Sequence, residues 1–187
     1  MADVTMGTQS LNGINLKILQ STIDDIKRDR ELGRFKFRVH NKWMGATRNL
    51  STNTGFYGAG REMKHPRPFN SKADEPETLA GSGRAPNPAE HLLNSLAECI
   101  TTSIVAHAAV RGIEIEQLES QLEGDLDLNG FLGLDPSAPK GFTNIRVDVK
   151  AKTKDEDFEK LRGLIEYSPV YCTLVNGTLV DLAVHSK

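Results

Sequence analysis

An apolar helix between residues 87 and 112 dominates the sequence. The segment Asn87-Pro88-Ala89-Glu90 is typical of a helix start, because Asn suits the N-cap, Pro the first helical position and Glu the third. The helix is predicted to run to about Arg111 and to end at Gly112. Apolar side chains occupy much of its circumference, so we expect a central, buried helix.

The same helix is too polar to cross a membrane. Its most apolar window, Leu92–Val110, contains Asn94, Ser95, Glu98 and His107, which favours a core helix over a membrane span. One small sheet would leave part of such a helix uncovered. A dimer that buries it between two subunits is the hypothesis that follows.

The patterns before this helix predict a helix, two strands and a long loop. Residues 14–30 space Leu16, Ile18, Ile23 and Ile26 near helical periodicity. Residues 34–43 alternate apolar with basic or polar side chains, which predicts a half-buried strand, and residues 46–62 are expected to pair with it. Residues 64–88 contain five prolines, so we expect an ordered loop without regular structure.

The patterns after the helix predict a hairpin, two helices and a last strand. The strands are expected at 113–128 and 142–152, and a helix capped by Thr153 at 153–167. A short helix follows, with Ser168 as its N-cap and Pro169 after it, and then a final strand, TLVDLAV, at 178–184. This order of elements is α+β, with mostly antiparallel sheets packed on the central apolar helix. We divide the chain into an N-terminal helical extension, residues 1–33, and one domain, residues 34–187.

Composition narrows the possible partners. The chain has a formal net charge of −2, which favours neither nucleic acid nor a membrane as partner. The first 20 residues lack the apolar run of a signal peptide, so we expect a cytoplasmic protein. The five histidines have no paired ligand spacing and no nucleotide-binding motif is present, so the sequence predicts no metal and no cofactor.

The two cysteines allow opposite interpretations. Cys99 lies three turns into the central helix and Cys172 follows Ser168-Pro169. Free cysteine often behaves as a small buried hydrophobe, and Cys99 is too far from the helix N-terminus for the helix dipole to activate it. A reactive Cys99 would therefore need a nearby cation. Packing and redox roles both stay open on this reasoning.

Two segments of the chain resemble the OsmC/Ohr family of thiol-dependent peroxidases. They are NPAEHLLNSLAECITTSIVAHAAVRGIEI and SPVYCTL, separated by a strand hairpin and a helix. The resemblance covers roughly residues 34–185 and implies an intertwined homodimer. It also implies that Cys99 attacks an organic hydroperoxide, that an arginine stabilises its thiolate, and that a second thiol closes a disulfide reopened by a dithiol reductant.

The chain departs from the family's pattern at three positions. Ser168 stands where the family has its second cysteine, and Ala89 follows Asn-Pro directly, with Glu90 one place later. Arg48 is the favoured activating arginine, with Arg38 and Arg61 as alternatives. If the chain is helical after Ser168, Cys172 lies one turn further, about 6 Å along the axis, and is the candidate for the missing thiol. The alternative function is a non-catalytic OsmC-like dimer that binds a small apolar ligand.

Overall fold

The computed structural model describes residues 10–186 and divides them into two compact units. The first unit contains Ser10 and residues 15–92, and the second contains residues 11–14 and 93–186. The boundary expected after residue 33, between an N-terminal extension and the domain that follows, stays a prediction. No helix among residues 10–186 is long and apolar enough to span a membrane.

The first unit is built on a four-stranded antiparallel sheet. After the two-residue strands β1 (Ser10–Leu11) and β2 (Ile14–Asn15) come helix α1 (Leu16–Arg28) and a short 3-10 turn (Arg30–Gly33). The sheet consists of β3 (Lys36–Phe37), β4 (His40–Trp43), β5 (Asn49–Gly58) and β6 (Arg61–Ala73), and β5 pairs with the other three. The amphipathic helix and the pairing of the strands expected before the long loop are thus confirmed. The strand expected at 34–43 is interrupted between Phe37 and His40, and its residues are exposed rather than half-buried.

The expectation that residues 64–88 lack regular structure is wrong for its first part. Strand β6 continues through Pro66 and Pro68 to Ala73. Both prolines fall between the paired residues Lys64 and Phe69, where β5 breaks its register between Asn53 and Gly55. A proline has no N–H to donate, but at a break in the ladder no partner needs one, so the strand tolerates both prolines.

The loop that follows β6 is held by a buried carboxylate. Asp74 is 2% exposed and accepts hydrogen bonds from Thr47 Oγ1 at 2.7 Å and Ser82 Oγ at 2.5 Å. It also accepts from the backbone N–H groups of Glu75, Ser82 and Arg84. These bonds lower the pKa of Asp74 well below its usual value, the side-chain bonds from Ser82 and Thr47 contributing most. The loop is therefore ordered around one anion as it approaches the next helix.

The second unit packs a hairpin and short helices against one face of the long helix α2 (Pro88–Val110). The hairpin pairs β7 (Gln117–Leu126) with β8 (Phe142–Lys152), and α3 (Leu128–Phe131) lies between them. Helix α4 (Asp155–Arg162), a 3-10 segment (Gly163–Tyr167) and α5 (Pro169–Asn176) follow. The core cluster contains Leu96, Ile100, Ile104, Ala108, Ile113, Leu161 and Leu164.

Two further expectations for the second unit fail. Thr153 does not cap α4: its hydroxyl donates to the Glu114 carbonyl at 2.6 Å, and Lys154 takes the N-cap position. Residues 178–184 form no strand, because no other strand pairs with them anywhere in residues 10–186. Their large apolar side chains, Leu179, Val180, Leu182 and Val184, are 78–86% exposed.

Candidate active site

Cys99 lies on α2 at the border of its buried face. The buried residues Leu96 and Ser103 lie one turn away on either side, while Cys99 itself is only partly buried and its thiol is free. The local sequence explains this position, because the apolar residues that enter the core stand three and four places from one another and leave Cys99 at their edge. Cys99 is therefore not enclosed in the core.

Cys172 lies on α5 in the same unit, and its thiol is also free and partly buried. Its Sγ donates to the carbonyl of Glu166 at 3.2 Å. Cys99 and Cys172 are not joined by a disulfide.

Ser168 begins α5. It is 0% exposed, and its hydroxyl accepts a hydrogen bond from the Tyr171 N–H at 3.3 Å. The prediction that Ser168 is an N-cap is confirmed. At the place where the resemblance would put a second cysteine, this chain has a buried hydroxyl that satisfies a helix end.

Glu90 closes a reciprocal capping box at the start of α2. Its carboxylate accepts from the Asn87 N–H at 2.7 Å, and the Asn87 side chain accepts from the Glu90 N–H at 2.8 Å. This confirms the capping role expected from the sequence. Any role of Glu90 in orienting an arginine stays a prediction.

The three candidate arginines all lie in the first unit and have partners there. Arg48 donates to the carbonyls of Met44 and Gly45, at 3.2 and 3.5 Å, in the turn between β4 and β5. Arg38 forms a two-bond ion pair with Glu62, both bonds 2.8 Å long, and Arg61 pairs with Gly58 at the start of β6. Cys99 belongs to the second unit, so which arginine acts on it stays a proposal.

Sequence reasoning missed a cluster at the end of α2. Arg111 Nη1 lies 3.0 Å from His107 Nδ1, and Arg111 Nη2 donates to the Tyr167 hydroxyl at 3.3 Å. The rings of His107 and Tyr167 stack at 4.1 Å. Burial, and then the charge of Arg111, lower the pKa of His107, so at neutral pH its Nδ1 can accept from Arg111. Only the i, i+4 spacing of His107 and Arg111 was visible in the sequence.

This cluster is too distant to activate the thiol. Arg111 follows Cys99 by 12 residues, which is about 18 Å along a helix axis. A guanidinium stabilises a thiolate only at close range.

The first unit also has an open cavity of about 390 Å³, lined mostly by amide, hydroxyl and imidazole side chains, among them Asn41, Asn49, Ser51, Ser71 and His91. Its lining thus offers hydrogen-bonding groups beside the apolar side chains of Ala73 and Pro88.

No group of three or more His, Cys, Asp or Glu side chains within residues 10–186 is arranged to hold a metal ion.

The sequence profile of the family described as OsmC-like protein matches residues 81–183, more than half of the chain. The chain belongs to the OsmC-like family. The matched segment begins in the loop before α2 and includes Cys99, the β7–β8 hairpin, Ser168 and Cys172. No curated protein sequence matches this OsmC-like chain.

Solved structures agree with the family at the level of the fold. An OsmC-like protein from Mycoplasma pneumoniae is 15% identical with a TM-score of 0.57, covering 76% of this chain and 89% of its own. A candidate osmotic stress induced and detoxification response protein from Psychrobacter arcticus is 16% identical with a TM-score of 0.53, covering 71% and 83%. At such low identity the likeness concerns the fold alone. The expected mixed fold with antiparallel sheets is confirmed.

Proposed function

We propose that this OsmC-like protein is a thiol-dependent peroxidase that reduces organic hydroperoxides through Cys99, in defence against oxidative stress. The observation that carries the proposal is the free thiol of Cys99, a partly buried residue on α2, at the place where the resemblance puts the attacking cysteine. Arg48 is our candidate for the cation that stabilises the thiolate. Action in the cytoplasm and a homodimeric state belong to the same proposal.

The first chemical step oxidises Cys99. Its thiolate attacks the terminal oxygen of the hydroperoxide, the O–O bond breaks, and the departing alkoxide takes a proton to become an alcohol. Cys99 is left as a sulfenic acid, so two electrons have passed from sulfur to the peroxide.

The second step needs another thiol, and we assign it to Cys172. Its sulfur attacks the sulfenic acid, a disulfide forms, and water leaves. An external dithiol then reduces the disulfide by exchange and becomes a disulfide itself. For the attack, Cys172 has to give up its hydrogen bond to Glu166.

Peroxide turnover in single-cysteine variants tests the proposal. With cumene hydroperoxide and dihydrolipoamide, we expect Cys99→Ser to lower kcat/KM at least about 100-fold, because the nucleophile is lost. Cys172→Ser should permit one rapid turnover and then slow, because the sulfenic acid has no partner within the chain. Thr102→Ala, an exposed change on the same helix, is the control and should behave as the wild type. A Cys99→Ser protein that keeps wild-type turnover would exclude this function.

The second candidate function is a non-catalytic OsmC-like dimer that binds a small apolar ligand. The buried cap formed by Ser168 favours it, because a hydroxyl that holds a helix end cannot form a disulfide. Under this alternative both cysteines are packing residues. Turnover by the wild type would remove the alternative.

A further inference from the structure

Positive charge is concentrated in the sheet of the first unit. Residues 34–72 contain nine Lys and Arg but a single acidic residue, Glu62, in a chain whose formal net charge is −2. The remainder of the chain is correspondingly acidic. A net charge close to zero therefore hides a strongly basic segment.

The pairing of the strands places five of these cations on one face of the sheet. Lys42 and Lys72 both pair with Leu50, Lys36 and Glu62 both pair with Tyr57, and Lys64 pairs with Gly55. Directly paired residues point to the same face of a sheet, and neighbours along a strand point to opposite faces. Leu50 and Gly55 are five residues apart, so they share a face only because the register break between Asn53 and Gly55 reverses the alternation. The ring contact between His65, next to Lys64, and Phe69, the partner of Asn53, puts these two rings on one face, and Lys64 and Leu50 therefore share the other. Arg38 follows Lys36 by two positions and bonds to Glu62. We call this surface the basic face: Lys36, Arg38, Lys42, Lys64 and Lys72.

The basic face is open to solvent and extended. All five cations are exposed, and within residues 10–186 only Arg38 among them is ion-paired to an acid on that face, Glu62. Lys42 and Lys72 lie on the two strands that flank β5, about 10 Å apart. Lys36 lies roughly 20 Å from them in the direction of β5. Such spacing presents separate charges over a broad area and forms no groove.

The opposite face of the same sheet is aromatic. Phe35, Phe37, Phe56, His65 and Phe69 form a chain of ring contacts with centroids 4.7–6.1 Å apart. An added Cβ at Gly58 would lie 2.2 Å from Phe35, so this glycine lets Phe35 pack against the sheet. The aromatic rings and the five cations are thus on opposite sides of the sheet.

We propose that the basic face docks on an anionic lipid bilayer. Charge complementarity supports this partner, because juxtaposed Lys and Arg side chains each contribute attraction to a negatively charged leaflet. A single-stranded nucleic acid would need aromatic rings among the cations, on which its bases could stack, and those rings are on the other face. With no membrane-spanning helix in residues 10–186, the attachment is peripheral and reversible.

Docking of this kind would bring the protein to the place where lipid hydroperoxides form. It does not depend on the proposed peroxidase activity, since the four lysines of the basic face have no part in that chemistry and Arg38, an alternative to Arg48, is left unchanged in the test below. Binding and turnover can therefore fail separately.

Vesicle flotation of the full-length chain tests the proposal. The probes are phosphatidylcholine vesicles with and without about 30% phosphatidylglycerol. We expect binding only to the anionic vesicles, and a marked loss between about 50 and 300 mM salt, since screening shortens the range of the attraction. The variant Lys36→Glu, Lys42→Glu, Lys64→Glu, Lys72→Glu should bind at least about tenfold more weakly.

A second variant with the same net charge is the control. Lys17→Glu, Lys27→Glu, Lys140→Glu, Lys154→Glu changes four exposed lysines outside the basic face and should lose far less binding. Circular dichroism should show that both variants are folded. If the variant of the basic face is unfolded, the double variant Lys42→Glu, Lys72→Glu replaces it. Equal loss in both variants, equal binding to neutral vesicles, or tighter binding to a single-stranded oligonucleotide than to anionic vesicles would overturn the proposal.

Discussion

Asp74 shows how one side chain orders a long loop. Its carboxylate accepts bonds from Thr47, 27 residues earlier, and from Ser82 and Arg84. Sequence reasoning could not single it out, because an acid among prolines and glycines has no local pattern that reveals distant partners. The loop it holds leads directly into Asn87 and the start of α2.

Asp74→Asn should destabilise the protein in a pH-dependent way. The pKa of Asp74 in the folded state lies well below its usual value of 3.8, so its contribution is fully present above about pH 4 and is lost as the pH falls through the folded pKa. We expect the melting temperature of the variant to be lower by roughly 5 °C at pH 7, with the difference shrinking as the pH falls below about 4.

The control for this measurement is Asp148→Asn, an exposed change on β8. It should melt close to the wild type over the same range. A constant difference between Asp74→Asn and the wild type at every pH would show that the charge of Asp74 is not what orders the loop.

Residues with local partners were predictable from the sequence, and residues with distant partners were not. Glu90 and Ser168 were identified as capping residues because a capping side chain and the backbone N–H that donates to it are three residues apart. The bond from Thr153 to Glu114 joins residues 39 positions apart, and so Thr153 was wrongly expected to cap α4. The roles of Cys99, Cys172 and Arg48 rest on family resemblance and stay predictions.

The helices were easier to predict than the strands. Helix α2 begins and ends within a residue or two of its predicted limits, since its capping and periodicity are local. Strand β6 and residues 178–184 were misjudged because a strand exists only where another strand pairs with it. Pro66 and Pro68 argued against a strand that a break in the register of β5 permits.

The capping box of α2 gives a prediction for this helix. Asn87→Ala and Glu90→Ala should each lower the free energy of unfolding by about 1 kcal/mol, because each leaves a backbone N–H at the helix start without its acceptor. Urea denaturation at neutral pH measures the change. Glu98→Ala, exposed in the middle of the same helix, should change stability by less than about 0.5 kcal/mol.

Glu90→Gln separates capping from any catalytic role. An amide oxygen can still accept from the Asn87 N–H, so we expect stability and peroxide turnover close to the wild type. A normal melting curve with turnover lowered more than about tenfold would instead assign Glu90 to the chemistry.

The molecule as a whole leaves much apolar surface exposed. The aromatic face of the first unit and the side chains of residues 178–184 are partly or largely exposed. The latter residues alternate in the manner of a strand, with Val180, Leu182 and Val184 on one side. We propose that a second copy of the chain covers these surfaces, in agreement with the intertwined homodimer that the resemblance implies.

Truncation should reveal the contribution of the C-terminal segment to this dimer. A chain ending after Gly177 should dissociate at protein concentrations at least about tenfold higher than the wild type, because it loses the exposed apolar side chains. Light scattering after size exclusion measures the masses. A chain ending after Val184 is the control and should remain dimeric. A wild type that is monomeric at all concentrations would contradict the homodimer.

The central claim is that Cys99 reduces hydroperoxides, and intact mass with a free-thiol count tests it most directly. One equivalent of cumene hydroperoxide should remove both thiols of the wild type without adding oxygen, as Cys99 and Cys172 close a disulfide. The Cys172→Ser protein should gain one oxygen on Cys99, and Cys99→Ser should not react. An unchanged mass and two intact thiols in the wild type, under conditions where a known thiol peroxidase is oxidised, would contradict the claim.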